Sequence, residues 1–175
     1  MVIFMYSDRA YSRQMMNHLP QLFNKPHAMA EIFGSEEYPE LKGRGHFLQT
    51  NEGVLMMVEV FGLPTSKLCE GGIFGFHIHE GWLCRGNEED AFVGAVAHYN
   101  PEKCPHPYHA GDLPPLFGNN GHAFMIVLTD HFFVEEVIGR TIIVHSKVDD
   151  FTTQPAGNAG TKMACGKIRR MCLNR

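Results

Sequence analysis

No apolar run in this 175-residue chain approaches the roughly 18 residues that a helical membrane span requires. Positive charge is scarce as well. Lys and Arg total 15 against 19 Asp and Glu, a formal net charge of -4. That balance lacks the basic footprint of a nucleic-acid binder. It also means that an anionic substrate must be drawn by local positive charge rather than by the chain as a whole. Internal repeats and low-complexity segments are absent. The N-terminus does not read as a convincing export signal: Val2 to Tyr6 is too short for a signal-peptide core, and no basic segment precedes it. Cytoplasmic residence is the expectation, with export left open. The cysteines Cys69, Cys84, Cys104, Cys165 and Cys172 are odd in number, so at least one thiol has no partner within the chain. At 44% hydrophobic, what is present suffices for one domain with a true core.

Residues 1–26 differ from the rest. Met15, Met16, Leu19, Leu22 and Phe23 fall at roughly helical spacing around Pro20, which reads as an arm with at most a short helix. Residues 27–175 form the second unit, in which short apolar runs alternate with Gly, Pro, Asn and Asp turns. The runs His27–Phe33, Arg44–Gln49, Val54–Phe61, Ile73–Glu80, Ala123–Thr129, Thr141–His145 and Met163–Met171 predict strands. Between Gly81 and Phe117 stand Pro101, Pro105, Pro107, Pro114 and Pro115, a density that forbids helix interior and central strand alike. A loop of that length is usually functional or disordered, and a bound metal would account for its order. Many short strands and no convincing helix predict an all-β sandwich or barrel.

The chemistry lies in the histidines. Eight of the eleven fall between positions 77 and 145. In Phe76-His77-Ile78-His79, the period-2 alternation of a strand puts both imidazoles on one face. An isolated pair of this kind is more often two surface residues on an edge strand. Here His98, His106, His109 and Asp112 follow, and His145 ends another apolar run. His98, His106, His109 and Asp112 suit a closed tetrahedral zinc site of structural type. His77, His79 and His145, with a shared fourth imidazole, suit copper, which heads the affinity order for nitrogen sites. An imidazole offers a nitrogen to each of two metals, and His98 is the candidate bridge, since it lies between the two groups in sequence. Asp149 either orients ligand rings or belongs to a solvated acidic turn with Asp150.

Five segments in this order resemble the copper/zinc superoxide dismutases, with the cysteine placement of bacterial members. They are GFHIHE (75–80), AHYNP (97–101), HAGDLP (109–114), VIGRT-IIVH (137–145) followed by KVDD, and GNAGTKMACGKI (157–168). The resemblance implies an eight-stranded Greek-key β-barrel holding one copper and one zinc. It carries copper onto His77, His79, His98 and His145, and zinc onto His98, His106, His109 and Asp112. Asp149 becomes the aspartate that links ligand rings of the two sites. Cys84 and Cys165 become a disulfide pair; the family gives Cys69, Cys104 and Cys172 no role, and a second bond between Cys69 and Cys104 is a separate expectation. The implied activity is dismutation of superoxide to oxygen and hydrogen peroxide by a redox-cycling copper. The implied partners are superoxide as a small anion, with neither nucleic acid nor membrane, and a homodimer is admitted. A metal-buffering, non-catalytic relative is the alternative, but such relatives usually lack a copper ligand.

The chain departs from the family in three places. Lys162 stands where the family has its active-site arginine, and is expected to attract and position superoxide less well. The loop FTTQPA (151–156) is short and without charge. Val96-Ala97 precedes His98 where relatives usually include a glycine.

Overall fold

The computed structural model describes residues 25–65 and 71–171. Residues 1–24 of the expected arm, together with Cys69 and Cys172, lie outside the described residues. Nine strands follow in order: β1 (Ala28–Gly34), β2 (Lys42–Thr50), β3 (Gly53–Phe61), β4 (Ile73–Phe74), β5 (Phe76–His79), β6 (Leu116–Phe117), β7 (His122–Thr129), β8 (Thr141–His145) and β9 (Lys162–Arg170). Seven of them form one antiparallel sheet in the order β5-β8-β9-β1-β2-β3-β7, curled into a half-barrel, while β4 pairs with β6. The all-β Greek-key architecture expected from the sequence is therefore present.

The run expected at 73–80 is two strands, because Gly75 interrupts it. Gly75 donates its N–H to Lys147 O at 2.7 Å and accepts from His145 N at 2.8 Å, so it pairs with the segment beyond β8. A Cβ there would sit 2.9 Å from Ala159 Cβ and 3.3 Å from His145 Cβ, so only glycine lets these backbones close. With β4 and β5 taken as halves of one interrupted strand, the nine runs make eight. The sequence reading omitted one short helix, α1 (Val134–Val137), which buries Val134 and Val137. Glu136 accepts from Phe133 N, and Gln49 Oε1 accepts from Val134 N at 2.9 Å.

Strand character comes from alternation. Along β3, Val54, Met56, Val58 and Val60 are buried, whereas Leu55, Met57 and Glu59 are only partly so. Their inward side chains join Ile32, Phe47, Phe76, Ile78, Ile142 and Ile168 in one core. β5 and β8 depart from this pattern: every residue of both is buried. A second, smaller cluster covers their outer side, where Phe92, Ala95, Ile143 and Cys165 pack together with Cys84 against them. The segment after β5 thus acts as a second layer. A disulfide joins Cys84 in that segment to Cys165 on β9.

The bond closes a loop with a sequence separation of 81. On the chain-entropy model it is worth up to about 4.5 kcal/mol. Replacing both cysteines by serine and alanine should lower unfolding stability in urea by up to that amount. An unchanged midpoint would mean that the bond is not formed in solution.

Candidate metal centre

The long proline-rich segment is held against the edge strand β5 by backbone pairing. Tyr99 N donates to Ile78 O at 2.8 Å, Ile78 N to Gly111 O at 2.9 Å, and Gly111 N to Tyr99 O at 2.8 Å. Glu80 N and Gly81 N reach Ala97 O and Ala95 O. The loop's order therefore does not depend on a metal alone, as the sequence suggested. These contacts set His98 opposite His79 and Asp112 opposite His77 as isolated bridge pairs. Arg140 adds a clasp, its guanidinium 4.0 Å above the Tyr99 ring and donating to Glu80 O.

Two groups of side chains converge there. In each, one ligand atom per residue lies within 4.8 Å of all the others: His77, His79, His98 and His145 in one, His98, His106, His109 and Asp112 in the other. All six imidazoles are buried. His77 and His79 project from β5, and His145 ends β8 with its Nε2 3.2 Å from His79 Nε2. His98 faces both groups. Its Nδ1 is 2.8 Å from Asp112 Oδ1, and its Nε2 finds no hydrogen-bond partner among the described residues.

The donor set fits two metal ions by its orphaned atoms. His77 Nδ1, His98 Nε2, His106 Nδ1 and His109 Nδ1 are buried without a hydrogen bond. Buried polar atoms normally have partners, so four orphans in one place call for a ligand. His106 Nδ1 and His109 Nδ1 stand 3.0 and 3.3 Å from Asp112 Oδ2, close but outside hydrogen-bond geometry. Atoms arranged around a common centre have that relation. Imidazole and carboxylate donors suit zinc on this side, and the all-imidazole set suits copper on the other.

The other ring nitrogens are occupied. His77 Nε2 lies 2.7 Å from Asp149 Oδ2 and His106 Nε2 lies 2.9 Å from Asp149 Oδ1, so one carboxylate spans both groups. Phe151 N donates to the same Oδ1 at 2.7 Å. His79 Nδ1 donates to Val96 O at 3.0 Å. Each such bond leaves the opposite nitrogen free as an acceptor or ligand.

The electrostatics match. Burial, followed by the neighbouring imidazoles, holds His79 and His145 well below the ordinary histidine range. Burial also lowers His77, against the opposing hydrogen bond to Asp149. Burial alone would raise Asp149. The bonds from His77, Phe151 N and His106 outweigh it and keep the carboxyl well below its usual range. Asp112 is lowered likewise, with the His98 bond and charge overcoming burial. Neutral rings at His77, His79 and His145 beside ionised Asp112 and Asp149 are the protonation state that metal binding needs.

Several supporting residues carry no signal in the sequence. Gln154, inside the loop that reads as bare, brackets His106 by accepting from its N at 2.9 Å and donating to its O at 2.7 Å. Asn100 does the same for Cys104, donating to its O at 2.8 Å and accepting from its N at 2.9 Å. Cys104 is a free thiol among the described residues, and its expected partner Cys69 lies outside them. Val96 has φ 62 and ψ -141, a region that a β-branched residue scarcely enters. That is the physical reason why glycine is expected nearby. Lys162 pairs with His145 across the β8–β9 ladder and donates from Nζ to Asp90 Oδ2 at 2.5 Å. Together with His79, His98 and His145 it lines an open pocket.

The family model for copper/zinc superoxide dismutase matches residues 41–168. A copper–zinc superoxide dismutase of Aquifex aeolicus is 33% identical over 159 residues, covering 81% of this chain and 86% of the relative. An extracellular copper–zinc superoxide dismutase of Drosophila melanogaster is 31% identical over 161 residues, covering 81% and 83%. Among solved structures, the Cu/Zn superoxide dismutase from Brucella abortus aligns with a TM-score of 0.67 and 24% identity, over 80% of this chain and 98% of that one. At that identity the last likeness speaks to the fold alone.

Gly157 makes the carboxylate bridge possible. At φ +65, a Cβ would lie 2.0 Å from Asp149 Oδ1 and 2.6 Å from His106 Nε2. Gly157→Ala should therefore strip zinc from the purified protein while circular dichroism stays that of a β fold. Full zinc retention would show that Asp149 has room to move. Val96 is 57% exposed, so little packing is lost on truncation. Val96→Gly should raise the melting temperature by relieving strain on the order of 1 kcal/mol; a lower one would mean no strain is stored there.

Proposed function

Because the chain belongs to the copper/zinc superoxide dismutase family, we infer that it dismutates superoxide to oxygen and hydrogen peroxide through a copper bridged by a histidine to a zinc. The observation that carries the reading is His98, a buried ring whose Nδ1 faces Asp112 while its Nε2 faces the all-imidazole group. When bound, copper supplies one-electron redox chemistry and zinc supplies a fixed, redox-inert charge.

The chain's own residues supply the rest. His77, His79, His98 and His145 hold copper. Their rings are set by Asp149 on His77 and by Val96 O on His79. His98, His106, His109 and Asp112 hold zinc, and Asp149 ties His106 to the copper side. The bridging ring can carry a proton on Nε2 while Nδ1 remains at Asp112. That places a proton donor at the floor of the pocket, where the product requires one. His79, His98 and His145 line that pocket, so a small anion reaches the copper set from solvent. A closed storage site would need no such opening, which favours the enzyme over metal buffering.

Among the described residues no helix is long and apolar enough to cross a membrane. Cytoplasmic residence, expected from the sequence, requires the disulfide to survive a reducing pool. Cys165, 1% exposed beneath Phe92 and Ala95, supports such survival, and an oxidising compartment would remove the requirement. The reading extends to a homodimer, for which the exposed Phe124 and Leu128 of β7 offer apolar surface.

Elemental analysis and dismutation assays test the bridge together. His98→Ala should deplete both metals and abolish activity. His79→Ala should cost copper and activity but retain zinc. Wild-type copper and zinc content in His98→Ala would overturn the bridging assignment, and a fully metallated wild type without activity would overturn the enzymatic one.

A further inference from the structure

A lysine beside the copper set would ordinarily attract an anion, and Lys162 sits directly across the ladder from His145. Its ammonium is not free. Nζ donates to Asp90 Oδ2 at 2.5 Å, and the two side chains are only 15% and 34% exposed. Asp90 is itself fixed. Its Oδ1 accepts from Phe92 N at 2.9 Å, and its backbone N donates to Asn87 Oδ1 at 2.9 Å. Asn87 N donates back to Asp90 O at 3.0 Å, which completes a tight turn. Asp90 lies six residues beyond Cys84, whose disulfide partner Cys165 lies three residues beyond Lys162. Disulfide and ion pair therefore join the same two segments.

The surrounding wall does not restore the lost positive charge. Six carboxylates line the pocket, Glu36, Glu37, Glu80, Glu88, Glu89 and Asp90, against three cations, Arg85, Lys103 and Lys162. With Lys162 neutralised by Asp90, the remainder is negative, in a chain that is itself at -4. A field of that sign slows a small anion, and salt weakens the slowing.

We propose that Asp90 is a positioning residue that clamps Lys162 at the mouth of the pocket and masks its charge, so that capture of the anionic substrate is held back rather than steered. The proposal deepens the dismutase reading and rests on it for the identity of the anion. The partly shielded pair keeps its geometry better than a solvated one would, which makes the masking persistent. The expected dependence on ionic strength is accordingly the reverse of a steered enzyme's: the wild-type rate rises with salt.

The test compares wild type, Asp90→Asn and Asp90→Glu. Asparagine keeps an oxygen for Phe92 N but removes the charge, so the turn should survive. In the metal-free protein, reductive methylation followed by peptide mass spectrometry reads the reactivity of Lys162. Asp90→Asn should label several-fold faster than wild type, and Asp90→Glu at close to the wild-type rate. In the copper- and zinc-loaded proteins, azide serves as the small-anion probe by optical titration. Asp90→Asn should bind azide several-fold more tightly, dismutate several-fold faster at low salt, and turn the rising salt dependence into a falling one. Equal labelling in wild type and Asp90→Asn would overturn the clamp. Faster labelling with unchanged azide affinity and an unchanged salt slope would overturn the masking. If the loaded wild type shows no dismutation, the enzymatic reading fails separately, while labelling and azide affinity still decide the role of Asp90.

Discussion

Six buried imidazoles share one cluster, and the structure is organised by what that burial demands. A buried polar atom without a partner costs free energy, and a buried charge costs more. Burial holds His77, His79 and His145 below the ordinary histidine range, toward the neutral form that avoids the second penalty. The rings escape the first only in part. One nitrogen of His77, His79 and His106 is tied to Asp149 or Val96 O, while the opposite nitrogen of His77 and His106 stays orphaned. Asp149 is central because one ionised carboxylate, two hydrogen bonds and a backbone donor fix rings from both groups at once. A fold that hides these atoms without a ligand would carry several unmet polar groups in its interior. Metal binding is then coupled to folding stability, not added to it afterwards.

The barrel supplies the rigidity and the loops supply the donors. β5 is an edge strand, and an edge invites pairing. Here the segment carrying His98, His109 and Asp112 takes up that pairing through Ile78, Tyr99 and Gly111. Two donors from the strand and four from that segment, His106 included, thereby meet in a fixed register. His145 arrives from β8, the neighbour of β5, and Gly75 lets the backbone beyond it close against the histidine strand.

Where periodicity governs, the sequence is legible. Alternation along β3, the paired histidines of β5 and the apolar run of β8 read directly, because side-chain direction follows from strand geometry. The donor types and their clustering also read from the chain, as does the absence of helix between Pro105 and Gly111. What escapes are contacts across long sequence separations made by residues of ordinary type. Gln154 holding His106 with two hydrogen bonds and Gln49 capping α1 with one leave no periodic trace. Lys162 was legible as a cation near the copper set, but its partner Asp90, 72 residues earlier, was not. The break at Gly75 was hidden because a glycine within an apolar run is equally a bulge, a bend or a close approach. Val96 was visible as a departure, and its positive φ supplies the reason.

The disulfide loop unites these observations. Its Phe92 and Ala95 seal the outer side of Ile143 and Cys165, its Val96 carbonyl orients His79, and its Asp90 holds Lys162. Packing, ligand geometry and the charge at the pocket mouth thus depend on one segment anchored at Cys84. Loosening that segment would uncover part of the β8 face, release a ring and unmask a cation together. These three effects differ in sign: the first two weaken the metal centre, whereas the third favours an incoming anion. A rigid loop secures the centre by giving up the attraction that a mobile lysine could provide. Electrostatic attraction mainly raises the encounter rate, while ligand orientation decides whether there is a redox centre to encounter. Of the two, the second is the more demanding constraint, and the backbone strain at Val96 is tolerated to meet it.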